Sequence, residues 1–137
     1  GLTLHDLFDL SFQGRRNEPA LEWDRTYTFG EIDARASRMA HVLLERGLNT
    51  GDRLCVYLPN CLEYIDLFLS CTRLGVIFVP VNILYREREI RHILTDSEPA
   101  AIVTNAPNRE FVPEGAPVWL AAELAAEAEV QPDSRVI

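Results

Sequence analysis

Two short apolar runs, residues 54–58 and 76–81, constrain this chain more than any other feature. Each is apolar at consecutive positions, so both faces of the strand it forms must be covered, as in a parallel sheet. Between them Asn60 and Glu63 make an expected capping pair. A helix is predicted from there to Leu74, and Gly75 supplies its left-handed stop. Strand, crossover helix and strand form a βαβ unit, which closes right-handed. The helix is apolar on most sides, through Leu62, Ile65, Leu67, Phe68, Leu69 and Cys71, so it is expected to be covered by other parts of the protein. Pro80 lacks an N–H and belongs at a strand end or on an edge.

The flanking pattern extends this unit. Upstream, Leu4, Leu7, Phe8 and Phe12 share one face of a short helix predicted over residues 3–13, and Asn17-Glu-Pro19 breaks it. Leu21, Trp23, Thr26 and Tyr27 predict a β-hairpin around an Asp24-Arg25 turn. Thr28 and Glu31 form a capping box, and the helix after it carries Ile32, Ala36, Met39, Ala40, Leu43 and Leu44 on one stripe. Asp33, Arg35, Arg38 and Glu45 fall off that stripe, and Gly47 ends the helix. Downstream, residues 87–95 predict a polar helix with Ile90, Ile93 and Leu94 inward. Residues 101–103 form a third buried strand, 105–115 a loop, 118–120 a fourth strand and 121–130 an Ala/Glu-rich helix. The expected fold is therefore α/β: a layered parallel sheet with flanking helices and an N-terminal β-hairpin. Residues 1–19 form its leading helix and turn, and 20–137 its α/β core.

Composition narrows the chemistry. The formal net charge is −8 and all 13 basic residues are arginine. An acidic chain repels a phosphate backbone, which argues against nucleic-acid binding. Without lysine the chain has no compact ammonium for phosphate chemistry and no Schiff-base nucleophile. Cys55, Cys61 and Cys71 form no CxxC pair and read as thiols of a reducing, cytoplasmic compartment. No apolar run approaches the length of a membrane span.

Few side chains stand out as chemical groups. Gly47-Leu-Asn-Thr-Gly51 fits no phosphate-loop spacing and leads from helix into strand, opposite to the direction of an anion-binding turn. His5, His41 and His92 lie at no metal-ligand spacing and read as surface residues. No serine sits in a GxSxG setting. Arginine is the exception. Arg86, Arg88 and Arg91 cluster on one helix, and Arg109 lies in the loop two elements later. Guanidinium forks suit phosphate, although Glu87 and Glu89 offer a salt-bridged exposed helix as the alternative.

Tyr27-Thr-Phe-Gly-Glu-Ile32 and Arg73-Leu-Gly-Val-Ile-Phe-Val-Pro-Val-Asn82 resemble the first two core motifs of the adenylate-forming (AMP-binding) superfamily. Leu58-Pro-Asn60 and Asp96-Ser97 also fit, and the resemblance runs from about residue 20 to 103. It implies the first α/β subdomain of an acyl-CoA-synthetase-like ligase. Such enzymes use ATP and Mg²⁺ to form an acyl-adenylate from a small-molecule carboxylate, then transfer the acyl group to a thiol, usually that of CoA. The family's Ser/Thr/Gly-rich phosphate loop, ribose-binding Asp and catalytic Lys have no counterpart in these residues. The resemblance therefore implies no catalytic residue here, no strong binding of ATP, Mg²⁺ or CoA by this chain alone, and an N-terminal fragment of the parent enzyme. In CoA-using members, basic residues of this subdomain touch the nucleotide end of CoA, and Arg86 and Arg109 are the matching candidates. A different class remains open: a free-standing, non-catalytic α/β interaction module, or half of a split enzyme. An uncovered apolar surface would then let it self-associate.

Overall fold

The computed structural model describes residues 16–136. The helix expected over 3–13 and His5 lie outside the described residues. β1 (Pro19–Glu22) and β2 (Thr26–Thr28) pair antiparallel, with Leu21 opposite Tyr27 and Glu22 opposite Thr26. The turn between them is held by Trp23 N–H donating to the Arg25 carbonyl at 2.8 Å and Tyr27 Oη donating to Asp24 at 2.9 Å.

α1 (Phe29–Glu45) starts on the expected capping box: Glu31 N–H reaches Thr28 Oγ1 and Thr28 N–H reaches Glu31 Oε1, both at 3.1 Å. Gly30 is needed there for space. A Cβ on it would lie 2.9 Å from the Arg16 carbonyl oxygen, which its own N–H binds at 2.7 Å. Ile32, Ala36, Met39, Ala40 and Leu43 are buried as expected, but Leu44 is 41% exposed and Val42 is buried instead. Asp33, expected off the stripe, is also buried. The helix is covered from two sides, so the buried arc is wider than one stripe and rotated away from Leu44.

β3 (Arg53–Val56), β4 (Ile77–Pro80), β5 (Ala101–Thr104) and β6 (Val118–Leu120) form one parallel sheet in the order β4-β3-β5-β6. β3 leads through α2 (Leu62–Leu74) to β4 on one side, and β4 returns through α3 (Glu87–Ser97) past β3 to β5 on the other. Right-handed crossovers running in opposite directions place their helices on opposite faces. The core divides accordingly. Leu54, Val56, Ala101 and Val103 pack with α1, α2 and α4 (Ala121–Glu129). Cys55, Tyr57 and Ile102 pack with Ile90 and Leu94 of α3. Each fully buried aliphatic side chain in these layers contributes about 1.5–3 kcal/mol.

Pro80 ends the edge strand β4, as its missing N–H requires. Ile77 N–H donates to the Asp52 carbonyl just before β3 at 2.7 Å, and Val81 N–H to the Val56 carbonyl of β3 at 2.9 Å. By alternation the backbone N–H positions of residues 78 and 80 point away from β3, so Pro80 removes a donor from the open edge.

The predicted capping pair of Asn60 and Glu63 does not form. α2 begins with Cys61 as N-cap and no side-chain cap bond, and Asn60 is exposed. With Cys61 at the cap, the reciprocal position falls on Tyr64, one residue beyond Glu63, so the box is out of register. The expected loop 105–115 contains a 3₁₀ helix, Ala106–Phe111, capped by Asn105 accepting from Asn108 N–H at 3.0 Å. α3 runs two residues further than predicted, to Ser97, where Glu98 turns left-handed at φ 46°. Among the described residues no helix is long and apolar enough to cross a membrane.

Candidate functional site

In an open parallel sheet, ligands bind outside the carboxyl ends of the strands, where neighbouring connections leave in opposite directions. Here that point lies between β3 and β5. The chain fills it with its own side chains. Tyr57 follows β3, is fully buried, and its N–H donates to the Val103 carbonyl at 2.8 Å. Thr104 Oγ1 donates to the Tyr57 carbonyl at 2.9 Å. Tyr57 Oη then donates to the Tyr85 carbonyl at 2.5 Å.

Arg86 closes this corner. Its Nη1 lies 3.1 Å from Tyr57 Oη and donates to the carbonyls of Ile83 and Tyr85 at 3.0 and 2.9 Å. The guanidinium sits 4.2 Å from the centre of the Phe111 ring. Phe111 ends the 3₁₀ helix that carries Arg109, so the two candidate arginines stand on adjoining elements at the carboxyl edge. Arg109 is exposed and makes no ion pair with a described residue. Arg91 is tied to Glu87 at 2.5 Å, the salt-bridged arrangement that the interleaved glutamates allowed.

Beside this corner, Leu58, Pro59, Asn60, Tyr64, Pro80 and Asn82 line an open depression of about 470 Å³. It offers carboxamides and apolar surface but no acid, base or nucleophile. His92 is exposed and pairs with Asp96 at 3.2 Å, and His41 is half-buried with Nε2 2.9 Å from the Ser134 carbonyl. Burial pushes the Cys71 thiol up to about 12, so it is inert as a nucleophile. Among the described residues no group of three or more His, Cys, Asp or Glu could hold a metal ion. The described side chains at this edge offer hydrogen-bond donors and apolar surface with which to bind and position a ligand.

The strongest electrostatics lie elsewhere, between α1 and α2, and were not foreseen. Asp33 is met by Arg16 and Arg73 at 2.5 Å each and by Arg135 at 3.0 Å. Burial pushes the Asp33 carboxyl up, but the Arg16 hydrogen bond and the charges of Arg73 and Arg135 outweigh it and hold it below its ordinary value. Two residues along, Arg35 grips Asp66 of α2 through two hydrogen bonds, at 3.1 and 2.8 Å. These ties lock the helices that cover the sheet; they do not face the carboxyl edge. The available signal was Asp66 itself, an acid set among Ile65, Leu67, Phe68 and Leu69 in a mostly apolar helix.

The profile of the AMP-binding enzyme family matches residues 8–136, nearly the whole chain. The chain belongs to the AMP-binding enzyme family. It is 33% identical over 96 residues to surfactin synthase subunit 2 of Bacillus subtilis strain 168, an alignment covering 69% of this chain and 3% of that protein. It is 36% identical over 103 residues to a long-chain-fatty-acid–CoA ligase of Escherichia coli O6:H1, covering 74% of this chain and 18% of the ligase. Its fold matches an artificially fused adenylation–PCP di-domain, NpsA-ThdA from Klebsiella oxytoca, with a TM-score of 0.88 at 24% identity, over 98% of this chain and 25% of that one. The chain thus spans a quarter or less of these AMP-binding relatives. The two family motifs read in the sequence take structural places in it. Tyr27–Ile32 forms the hairpin end and capped start of α1, and Arg73–Asn82 closes α2 and builds the edge strand β4.

Proposed function

We propose that this chain is the N-terminal part of an ATP-dependent carboxylate-activating enzyme that forms an acyl-adenylate and passes the acyl group to CoA. The observation that supports it is a family match over residues 8–136 in a chain that has no lysine and, among its described residues, no metal-holding cluster. With no such cluster among the described residues, the ligands of Mg²⁺ are assigned in this reading to other parts of the enzyme. ATP would be bound there too, against this subdomain as a wall.

CoA is favoured as acceptor by the ligase relative, which the alignment covers over 74% of this chain. Residues for its phosphates are at hand. Arg109 is exposed at the carboxyl edge, and the hydrogen bonds of Arg86 to described residues run through Nη1, with the guanidinium over the Phe111 ring. A cytoplasmic location suits the free cysteines, of which Cys55 and Cys71 are buried. A carrier-protein thiol is the competing acceptor, favoured by the match to surfactin synthase.

The test uses the full reading frame that contains this chain. Carboxylate-dependent pyrophosphate exchange followed by consumption of free CoA is the expected result. Exchange without CoA consumption, with acyl transfer only to a phosphopantetheinylated carrier, would replace CoA as the acceptor. No exchange with any carboxylate would overturn the activity itself.

A further inference from the structure

Arg86 stands on an exposed stretch of chain, with Leu84 and Tyr85 exposed beside it. Two acceptors of its Nη1, the carbonyls of Ile83 and Tyr85, lie within three residues of it. Those bonds travel with the segment and do not fix the guanidinium relative to the sheet. Tyr57 Oη does. It meets Nη1 at 3.1 Å from 29 positions away in sequence.

Tyr57 is held firmly enough to serve as that reference. It is fully buried in one cluster with Cys55, Val81, Ile90 and Ile102. Its N–H donates to the Val103 carbonyl at 2.8 Å, and its carbonyl accepts from Thr104 Oγ1 at 2.9 Å. The hydroxyl hydrogen goes to the Tyr85 carbonyl at 2.5 Å, which leaves the oxygen's lone pairs to accept from Arg86. One hydroxyl thus ties the end of β3 to the segment before α3 and to the guanidinium that segment carries. Orientation matters here, because the donors of arginine form a rigid planar fork that must meet phosphate oxygens in register.

We propose that Tyr57 is a positioning residue for the acyl acceptor: its hydroxyl sets the orientation of Arg86 toward a phosphate of CoA. Fully buried, Tyr57 does not touch the ligand itself. The inference rests on the reading that Arg86 meets that phosphate. Without the hydroxyl the charge stays and its orientation is lost, so binding weakens by less than on deletion of Arg86.

The test compares Tyr57→Phe, Arg86→Ala and the double variant in the full-length enzyme. It reads KM for CoA, KM for pantetheine (a thiol acceptor without the nucleotide phosphates) and carboxylate-dependent pyrophosphate exchange. Tyr57→Phe is expected to raise KM for CoA about fivefold, the loss of one hydrogen bond. KM for pantetheine should hold, and the change should add nothing in the Arg86→Ala background. If Arg86→Ala raises KM for CoA and Tyr57→Phe does not, or the two effects multiply, the positioning role is overturned and the CoA reading stands. Equal changes in all three readouts would mark a general packing role and overturn it as well. A KM for CoA unmoved by Arg86→Ala would overturn the reading of Arg86, and this inference with it. If Tyr57→Phe does not fold, Thr104→Val, which frees the Tyr57 carbonyl and keeps the side-chain shape, carries the same test: a raised KM for CoA alone supports the proposal and an unchanged one overturns it.

Discussion

Arg35 holds Asp66 with both arms of its guanidinium, Nε to Oδ1 at 3.1 Å and Nη2 to Oδ2 at 2.8 Å, across the contact of α1 with α2. Asp66 is almost fully buried. Burial pushes its carboxyl up to about 6, with the Arg35 hydrogen bonds and charge opposing that rise. The folded protein therefore retains a proton that the unfolded chain releases near the ordinary value of 3.8. By linkage, stability from this group falls as pH rises from about 4 to about 6. Asp66→Asn should abolish that slope in thermal midpoints measured across the window. Arg35→Met, which strands the acid, should cost about 3–5 kcal/mol at neutral pH by chemical denaturation.

Glu31 gives the opposite sign. Its carboxylate accepts from Arg25 and from the Thr28 N–H, and these hold it down at about 2, against an ordinary value of 4.5. Its contribution is complete above the ordinary value and is lost as pH falls toward the depressed one. Glu31→Gln should flatten the acid limb of the stability profile and lower the level above pH 5, where the lost contribution was complete, without adding a slope there. A thermal-midpoint series carried down to pH 2 reads both effects.

Gly75 sits at φ +71°, and a Cβ there would meet Thr50 Cγ2 at 2.8 Å. Gly75→Ala should cost about 1–2 kcal/mol from the left-handed backbone alone, and more from the clash. Adding Thr50→Ser removes the methyl and keeps the hydroxyl that donates to the Leu74 carbonyl at 2.9 Å. The double variant should recover part of the loss in urea unfolding.

Asp33 gathers arginines from the entry to β1, from α2 and from the end of the described chain. Asp33→Ala leaves those charges facing one another beneath α1 and should destabilise by about 3–5 kcal/mol. Limited proteolysis should show cleavage at Arg135 earlier than in the parent, because its tie at 3.0 Å is gone.

For Arg109 the proposal concerns CoA alone. In the full-length enzyme Arg109→Ala should raise KM for CoA about tenfold, the loss of one charge-assisted hydrogen bond. Pyrophosphate exchange should not change. An unchanged KM for CoA would remove Arg109 from the site.

The sheet was legible because its signals are local: consecutive apolar residues in β3 and β5, a capping box at Thr28, and Pro80 on an edge. Strand order was not, since the return of the chain past β3 to β5 depends on which face each crossover helix covers. The Asn60 cap failed by one residue, a difference that backbone geometry decides. Asp33 was misplaced because its burial depends on arginines up to 102 positions away in sequence. At the carboxyl edge, Arg86 could be named as a phosphate candidate, but its bond to Tyr57 Oη could not. That contact joins residues 29 apart and exists only once β3 and α3 are assembled.

Exchange of labelled pyrophosphate into ATP by the purified 137-residue chain is the decisive assay, run with saturating ATP, Mg²⁺ and a panel of carboxylic acids. On the proposal that the phosphate loop and catalytic lysine are supplied by other parts of an enzyme, exchange should stay at the level seen without protein. Exchange above that level that requires an added carboxylate would contradict the proposal that this chain is scaffold for chemistry carried elsewhere.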